Sequence, residues 1–349
     1  MQKSGEADME TLDTNLPGGY LLQGPRHSYR LDACLGKGGF GITYRGRETA
    51  TGVPVAVKEY FPNLCKPIRT PDGGIAPSPQ HQDAYAKGKK SFLNEAAMLK
   101  ALDEIPSVVN ILDFFPESGT AYMVMEYLDG ITLRQMVERD GPIPIQTLLP
   151  PMLSFIRDLS TMHQRGVLHR DIAPDNIMWM PDGSFKLLDF GCARAMEDGR
   201  SMSVLLKPGF APFEQYQTRG QGDYTDLYAL CATIYYCITG LVPPQAPERI
   251  FALHDNQPDP LPAPSKVGVP ISPELESLLM WGLAADARQR PQTMAQWLDL
   301  LEKVPFFPQD GPLPPDPYLK KRLSPLGIAI LCLCGAGALA LLAALIHAL

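Results

Sequence analysis

A carboxylate and a carboxamide stand five residues apart in the run His169-Arg170-Asp171-Ile172-Ala173-Pro174-Asp175-Asn176, and a further aspartate follows thirteen residues on, in Asp189-Phe190-Gly191. Asp171 can accept the proton of an attacking hydroxyl. Asn176 and Asp189 carry the hard oxygen donors that hold a magnesium ion against phosphate oxygens. Far upstream lies Gly36-Lys37-Gly38-Gly39-Phe40-Gly41. Glycines at this spacing let backbone N–H groups approach a phosphate with no Cβ in the way, so Gly36, Gly38, Gly39 and Gly41 are candidate phosphate-binding positions. The glycine pattern alone also suits dinucleotide folds, but those need a helix directly after it. Here Thr43-Tyr44-Arg45 continues as strand, and a second strand, Val55-Ala56-Val57-Lys58, ends on a lysine suited to α- and β-phosphates.

These groups need elements that bring them together. Residues 29–60 alternate apolar and polar side chains around the glycine cluster and predict strands. Phe92, Ala96 and Leu99, with Leu102 following, have helical spacing and predict a helix over residues 84–102. That helix carries Glu95, the carboxylate expected to hold Lys58 in place. A short apolar strand is expected over residues 121–125. From about Leu148 the pattern turns helical, with Met152, Phe155, Ile156 and Leu159 on one face. Residues 228–238 are apolar nearly all round, as a buried central helix would be. Strands first and helices later imply a small sheet-rich lobe followed by a larger helical one. Residues 61–83, rich in Pro and Gly, read as an inserted loop, and residues 305–317, with six prolines, as a semi-rigid spacer.

Composition narrows the classes. The formal net charge is −7, so no global field draws this chain to nucleic acid. Seven cysteines, an odd number with no C-x-x-C pair, argue against a disulfide framework or a zinc site and fit a reducing cytosol. Cys192, directly after the Asp189-Phe190-Gly191 motif, is expected to be an ordinary small buried residue. Residues 326–346 form a run of 21 uncharged residues, long enough to cross the roughly 30 Å hydrocarbon core as a helix. Lys320, Lys321 and Arg322 precede it, which puts the preceding domain on the cytoplasmic side. Cys332, Ala336, Ala340 and Ala344 recur every four positions in the run, a spacing that permits a homodimer packed through the anchor.

In this order, the glycine loop, strand lysine, helix glutamate, H-R-D-x-x-x-x-N and D-F-G resemble the eukaryotic-like (Hanks-type) Ser/Thr protein kinases of bacteria. The resemblance covers roughly residues 29–304. It implies an α+β, bilobal protein kinase fold, with a small β-rich N-lobe (29–125), a hinge (126–130) and a larger helical C-lobe (131–304). Around it stand a flexible N-terminal lead-in (1–28), a Pro-rich and basic juxtamembrane linker (305–324) and one transmembrane helix (325–346). The implied cofactors are ATP and Mg²⁺, and the implied partners are protein substrates and the lipid bilayer. The implied location is the bacterial inner membrane, with the kinase domain cytoplasmic. By the same resemblance Met125-Glu126-Tyr127-Leu128 is the hinge that meets adenine, with Met125 as gatekeeper. Thr43 lies above the adenine, which Ala56 and Met178 sandwich. Leu99, His169 and Phe190 belong to an apolar spine, and Asp226 braces the catalytic loop. Ala211-Pro212-Phe213-Glu214 resembles the A-P-E motif, with Glu214 expected to pair with Arg290.

The departures from the family pattern are as informative. Thr43 replaces the usual valine, and the separation of 37 positions from Lys58 to Glu95 marks residues 61–83 as an insertion. The catalytic loop normally carries a lysine two residues after its aspartate, and here Ala173 occupies that position. Tyrosine kinases, which also have alanine there, place an arginine two positions later, where this chain has Asp175. The threonine usually found seven residues before the A-P-E glutamate is Lys207. The expectation is that Lys207 fills the space at Ala173 and brings its ammonium beside Asp171. Arg170 is expected to receive a phosphate from Ser201 or Ser203. Two other readings stay open: a pseudokinase that binds nucleotide and recruits partners at the membrane, supported by Ala173, and a small-molecule kinase of the aminoglycoside or choline type.

Overall fold

The alternation over residues 29–60 folds into the centre of an antiparallel sheet. A computed structural model of the chain describes residues 14–190, 206–217 and 220–306. Chain order in the first lobe is β1 (Leu21–Gln23), β2 (Ser28–Lys37), β3 (Gly41–Glu48), β4 (Pro54–Tyr60), a small hairpin of β5 (Ile68–Arg69) and β6 (Ile75–Ala76), helix α1 (Gln82–Lys100), β7 (Ile111–Glu117) and β8 (Thr120–Glu126). Six of these strands form one sheet in the order β1-β2-β3-β4-β8-β7. Register sets Lys58 opposite Thr43 on β3 and Met123 on β8. Helix α1 buries Tyr85, Phe92, Ala96 and Leu99, the stripe that a helical period requires, and Glu95 lies buried beside it.

The second lobe is mostly helical. It runs through β9 (Ile131–Thr132), α2 (Leu133–Asp140), α3 (Ile145–Gln164), β10 (Ile177–Trp179), β11 (Phe185–Leu187), α4 (Phe213–Tyr216), α5 (Asp223–Thr239), α6 (Ala246–His254), α7 (Pro273–Gly282) and α8 (Met294–Leu301). Helix α3 contains Pro150 and Pro151, which remove two backbone donors. It continues through them because its apolar face is too well buried to give up: Leu148, Met152, Phe155, Ile156 and Leu159 are all within 1% of full burial. Helix α5 is buried along Thr225–Ile238, as its apolar run predicts, and serves as the axis on which the catalytic loop rests. Strands β10 and β11 pair as a hairpin whose two ends deliver Asn176 and Asp189 to the lobe boundary.

Three boundaries differ from the expectation. Residues 14–28 are not a flexible lead-in. Leu22 on β1 is fully buried and Leu16 nearly so, and the backbone N–H of Leu16 donates to the Tyr44 hydroxyl at 3.1 Å. A three-residue strand is too short to announce itself, and its partner β2 supplies the missing stability. Nor is the insertion an irregular loop. Glu59, the neighbour of Lys58 on β4, points to the opposite face and is completely buried. Arg69 at the end of β5 meets it with two 2.7 Å hydrogen bonds, while the hydroxyls of Tyr44 and Tyr122 donate to the same carboxylate at 2.9 and 3.0 Å. Arg69 also donates to the Thr14 carbonyl at 3.0 and 2.6 Å, so one guanidinium ties the insertion, the sheet and the N-terminal segment together. With every polar atom matched, this burial of charge is tolerated. Finally, the fold runs past residue 304: the Ser272 hydroxyl donates to the Pro305 carbonyl at 2.5 Å, and Phe306 packs on the core.

Gly191, Cys192, Ser201, Ser203, most of the linker (307–324) and the run at 325–346 lie outside the described residues. Among the described residues no helix is long and apolar enough to cross a membrane.

Candidate active site

A cleft of about 920 Å³, counting space open to solvent, separates the sheet from the helical lobe. Its lining includes Thr43, Ala56, Glu126, Leu128 and Met178, the residues expected around an adenine, together with Lys58, Glu95, Asn176 and Asp189. Leu35, Val109 and Leu188 also line it and were not foreseen. Leu35 and Leu188 sit directly beside the glycine and D-F-G motifs, which was the available signal. Val109 has none.

Gly38 and Gly39 lie in the β2–β3 connection, and Gly36 and Gly41 in the strand ends that flank it. A Cβ at Gly36 would meet nothing within 4 Å, and one at Gly38 nothing nearer than 3.9 Å, so backbone there is open to a close-lying group. Gly41 has a different reason to be glycine. A Cβ there would lie 2.3 Å from the Glu59 carbonyl oxygen, so the residue lets β3 pack on β4. The turn is tied down from the insertion, where the Asn63 and Phe61 N–H groups donate to the carbonyls of Gly39 and Phe40 at 3.0 and 3.1 Å.

Lys58 meets Asp189 across the cleft at 2.5 Å. Glu95, the carboxylate expected to hold Lys58, lines the same cleft from α1. Phe190, 1% exposed, packs edge-on against His169 with ring centroids 4.4 Å apart, which turns Asp189 outward to the cleft. Asp189 and Arg170 both have left-handed backbone, with φ of 54° and 65°. Such conformations cost about 1–3 kcal/mol each and persist only when the surroundings over-determine them.

For Arg170, Asp226 on α5 is the over-determining group. Its buried carboxylate accepts the N–H groups of His169 and Arg170 at 2.8 and 2.7 Å, and His163 Nε2 at 2.9 Å. Burial works to raise the Asp226 pKa, but the hydrogen bond and charge of His163, helped by His169, outweigh it and hold the carboxyl below its usual range. His163 is the converse. Burial disfavours its charge, yet Asp226 in contact and Asp223 at 3.7 Å leave its pKa raised. His169 is kept neutral chiefly by burial. It accepts the Asp171 N–H on Nδ1 at 3.2 Å and bonds the Leu188 carbonyl through Nε2 at 3.0 Å.

The His163–Asp226 pair makes stability depend on pH with a definite sign. A raised histidine pKa contributes stability that is fully present below its unfolded value of about 6.5 and lost as pH rises through the folded value. The stability difference between wild type and His163→Gln should therefore shrink as pH climbs from 6 toward 9. Denaturant titrations at several pH values measure it, and a difference that grows with pH would contradict the pairing.

Asn176 donates through Nδ2 to the Asp171 carbonyl and to its Oδ2, both at 2.8 Å, leaving its own oxygen for a cation. Burial raises the Asp171 pKa, against the opposing charges of Lys207 and His169 and the Asn176 bond. Oxygen donors from Asn176 and Asp189 suit magnesium. Among the described residues no group of three or more His, Cys, Asp or Glu could hold a metal, so phosphate oxygens and water would complete the shell.

Lys207 places its ammonium 3.3 Å from Asp171 Oδ2 and 4.0 Å from Asp175 Oδ2. Ala173, within the same loop, is fully buried. Glu214 and Arg290 meet at 2.7 Å, with the Arg290 side chain completely enclosed, as the family resemblance implied. Gln215 next to Glu214 donates to the Arg170 carbonyl at 2.6 Å and joins this turn to the catalytic loop.

Residues 29–301 match the family model for the protein kinase domain. The chain is 31% identical over 287 residues to the serine/threonine-protein kinase PknB of Mycolicibacterium smegmatis, covering 78% of this chain and 42% of that protein. It is 29% identical over 310 residues to the serine/threonine-protein kinase pkn3 of Myxococcus xanthus, covering 85% and 53%. The chain thus spans about half the length, or less, of these curated relatives. Among solved structures, PpkA-294 in its apo form is similar, with a TM-score of 0.69 and 34% identity over 82% of this chain and 99% of that one.

Proposed function

Since this chain belongs to the protein kinase family, we propose that it is a serine/threonine protein kinase that transfers the γ-phosphoryl group of Mg²⁺-ATP to protein hydroxyls. The observation that carries the reading is the Lys58–Asp189 contact at 2.5 Å, which joins the phosphate-binding strand to the metal-binding turn across the cleft. Asp171 receives the proton of the attacking hydroxyl, and Lys58 binds and orients the α- and β-phosphates. Asn176 and Asp189 would hold magnesium, which supplies neutralising charge at the phosphate oxygens. Ala56, Met178 and Leu128 enclose the adenine, and the backbone of the segment after β8 offers it hydrogen bonds. The buried Glu214–Arg290 pair, which supports the turn before α4, favours a protein substrate over a small molecule.

The chain is further proposed to sit on the cytoplasmic face of a bacterial inner membrane. Support for this is the uncharged run at 325–346 and the basic residues before it. A second copy is a candidate partner through the small residues of that run. Ala173 favours a competing reading, in which the domain binds nucleotide at the membrane without turning it over.

One experiment separates these readings. The full-length chain in detergent is incubated with γ-labelled ATP and magnesium, with Asp189→Asn as the control, and label is sought on the chain and on added protein. Label present in the wild type and absent in the control supports the kinase. Stabilisation by Mg²⁺-ATP with no transfer supports the pseudokinase, and neither effect rejects both. Deleting residues 323–349 should move the protein from the membrane pellet to the soluble fraction. Retention in the pellet would reject the tail anchor.

A further inference from the structure

The catalytic loop carries alanine at position 173, where its usual lysine would stand, and among the described residues Lys207 brings an ammonium to Asp171 from a different segment. Lys207 reaches the loop from the turn that precedes Pro212-Phe213-Glu214. That turn is firmly built. The N–H groups of Phe210 and Ala211 both donate to the Lys207 carbonyl, at 3.1 and 3.0 Å. Gly209 has a φ of 84°, and a Cβ there would lie 2.6 Å from the Pro243 carbonyl oxygen, so the chain at this point can only be glycine. Phe210 is buried edge-on against Tyr236, with centroids 6.0 Å apart.

A second group shares the ammonium. Asp175 Oδ2 lies 4.0 Å from Lys207 Nζ, while its other oxygen accepts from Arg134 Nε at 2.6 Å. The Arg134 guanidinium in turn lies over the rings of Phe210 and Tyr236, at 5.7 and 5.2 Å. Arg134 therefore grips both Asp175 and the turn that carries Lys207. The result is a closed circuit, Lys207–Asp175–Arg134–Phe210, in which the carboxylate is fixed from one side and can aim the lysine from the other.

We propose that Lys207 is a catalytic residue that supplies the cation Ala173 does not, and that Asp175, held by Arg134, positions it. The inference rests on the kinase reading above and deepens it. During transfer the bond from the γ-phosphorus to the bridging oxygen of ADP breaks as the bond to the substrate oxygen forms, and the hydroxyl proton goes to Asp171. Charge spread over the phosphoryl oxygens calls for a cation at fixed range, and Lys207 stands beside Asp171, where that charge develops. Because the cation belongs to the same turn that leads into Glu214, docking of that turn and assembly of the transfer site are a single event.

The test measures initial rates of the full-length chain on a Ser/Thr peptide library, with ATP affinity followed by thermal shift. Lys207→Ala should lower kcat by on the order of 10²-fold, with the KM for ATP changed less than about twofold. Asp175→Asn, which keeps shape but removes the charge, should cost on the order of tenfold in kcat. Placed on top of Lys207→Ala, Asp175→Asn should cost nothing further, because its effect runs through the lysine. Adding Ala173→Lys to Lys207→Ala should restore part of the rate. Retained ATP affinity shows that each variant is folded. Full kcat in Lys207→Ala overturns the catalytic role. Losses that multiply in the double variant overturn the positioning role. A wild-type chain that binds Mg²⁺-ATP and transfers nothing overturns the kinase reading and this inference together, whereas failure of the variants alone leaves the kinase reading standing.

Discussion

Asp171→Asn is expected to lower kcat by about 10²- to 10⁴-fold, the range that a positioned general base supplies. The substitution keeps the shape of the side chain and offers Asn176 a partner, but an amide does not take up the hydroxyl proton. It also leaves the Lys207 ammonium beside a neutral group. Asp171 is not among the residues that line the nucleotide cleft, whereas Lys58 and Asp189 are. Mg²⁺-ATP should therefore still stabilise Asp171→Asn against heat to nearly the wild-type degree. Asp189→Asn should lose both transfer and most of the nucleotide stabilisation, since it weakens the carboxylate proposed to hold magnesium and removes the ion pair with Lys58. Steady-state rates and thermal shift, measured side by side, test the contrast. If Asp171→Asn keeps more than about a tenth of the wild-type kcat, Asp171 is not the base.

The largest effect on stability is expected from Arg290→Met. Arg290 has no exposed side-chain surface. It donates to both Glu214 oxygens, at 2.7 and 3.2 Å, and to the carbonyls of Ala284, Ala285 and Tyr224. Its guanidinium also lies 4.6 Å from the centroid of the Tyr228 ring. Methionine fills part of the volume but leaves a buried carboxylate, one buried carbonyl and two part-buried carbonyls without the donor that Arg290 supplies. Breaking a buried pair from one side costs about 3–5 kcal/mol. For a domain of this size that is a fall on the order of 10 °C in Tm. Activity should fall as well, because Glu214 shares its turn with Gln215, which holds the Arg170 carbonyl. Adding Glu214→Gln should recover part of the lost stability, since the unpaired charge is then gone. Thermal or denaturant melts measure both steps, and a loss below about 1 kcal/mol, the scale of a surface pair, would show that the buried pair is not structural.

The parts of this protein that were legible in the sequence are those whose chemistry depends on residue type at fixed local spacing. Asp171 and Asn176 share one short loop, so the bonds between them follow from the loop itself. The strand leading to Lys58 and the buried stripe of α1 follow from periodicity, because each side chain's face is set by its position along the backbone. Glu214 and Arg290 were legible for another reason: both motifs resemble those of a family in which the two meet.

What only the tertiary structure decided are contacts between segments that no local spacing relates. One carboxylate that meets Lys58 is 131 residues away, at Asp189. That contact depends on how the lobes are set, a matter of packing and not of period. The burial of Glu59 was hidden because a strand alternation assigns a face without saying what covers it, and the cover is an insertion whose Arg69 arrives from outside the pattern. The reason for Gly41 was hidden in the same way, since the clash it avoids is with the backbone of the next strand. For Lys207, the sequence determined its place in the chain and the type of charge. The Phe210 turn, the Gly209 conformation and the grip of Arg134 decided that this charge stands at Asp171, because a flexible side chain finds its partner only once the backbone that carries it is fixed.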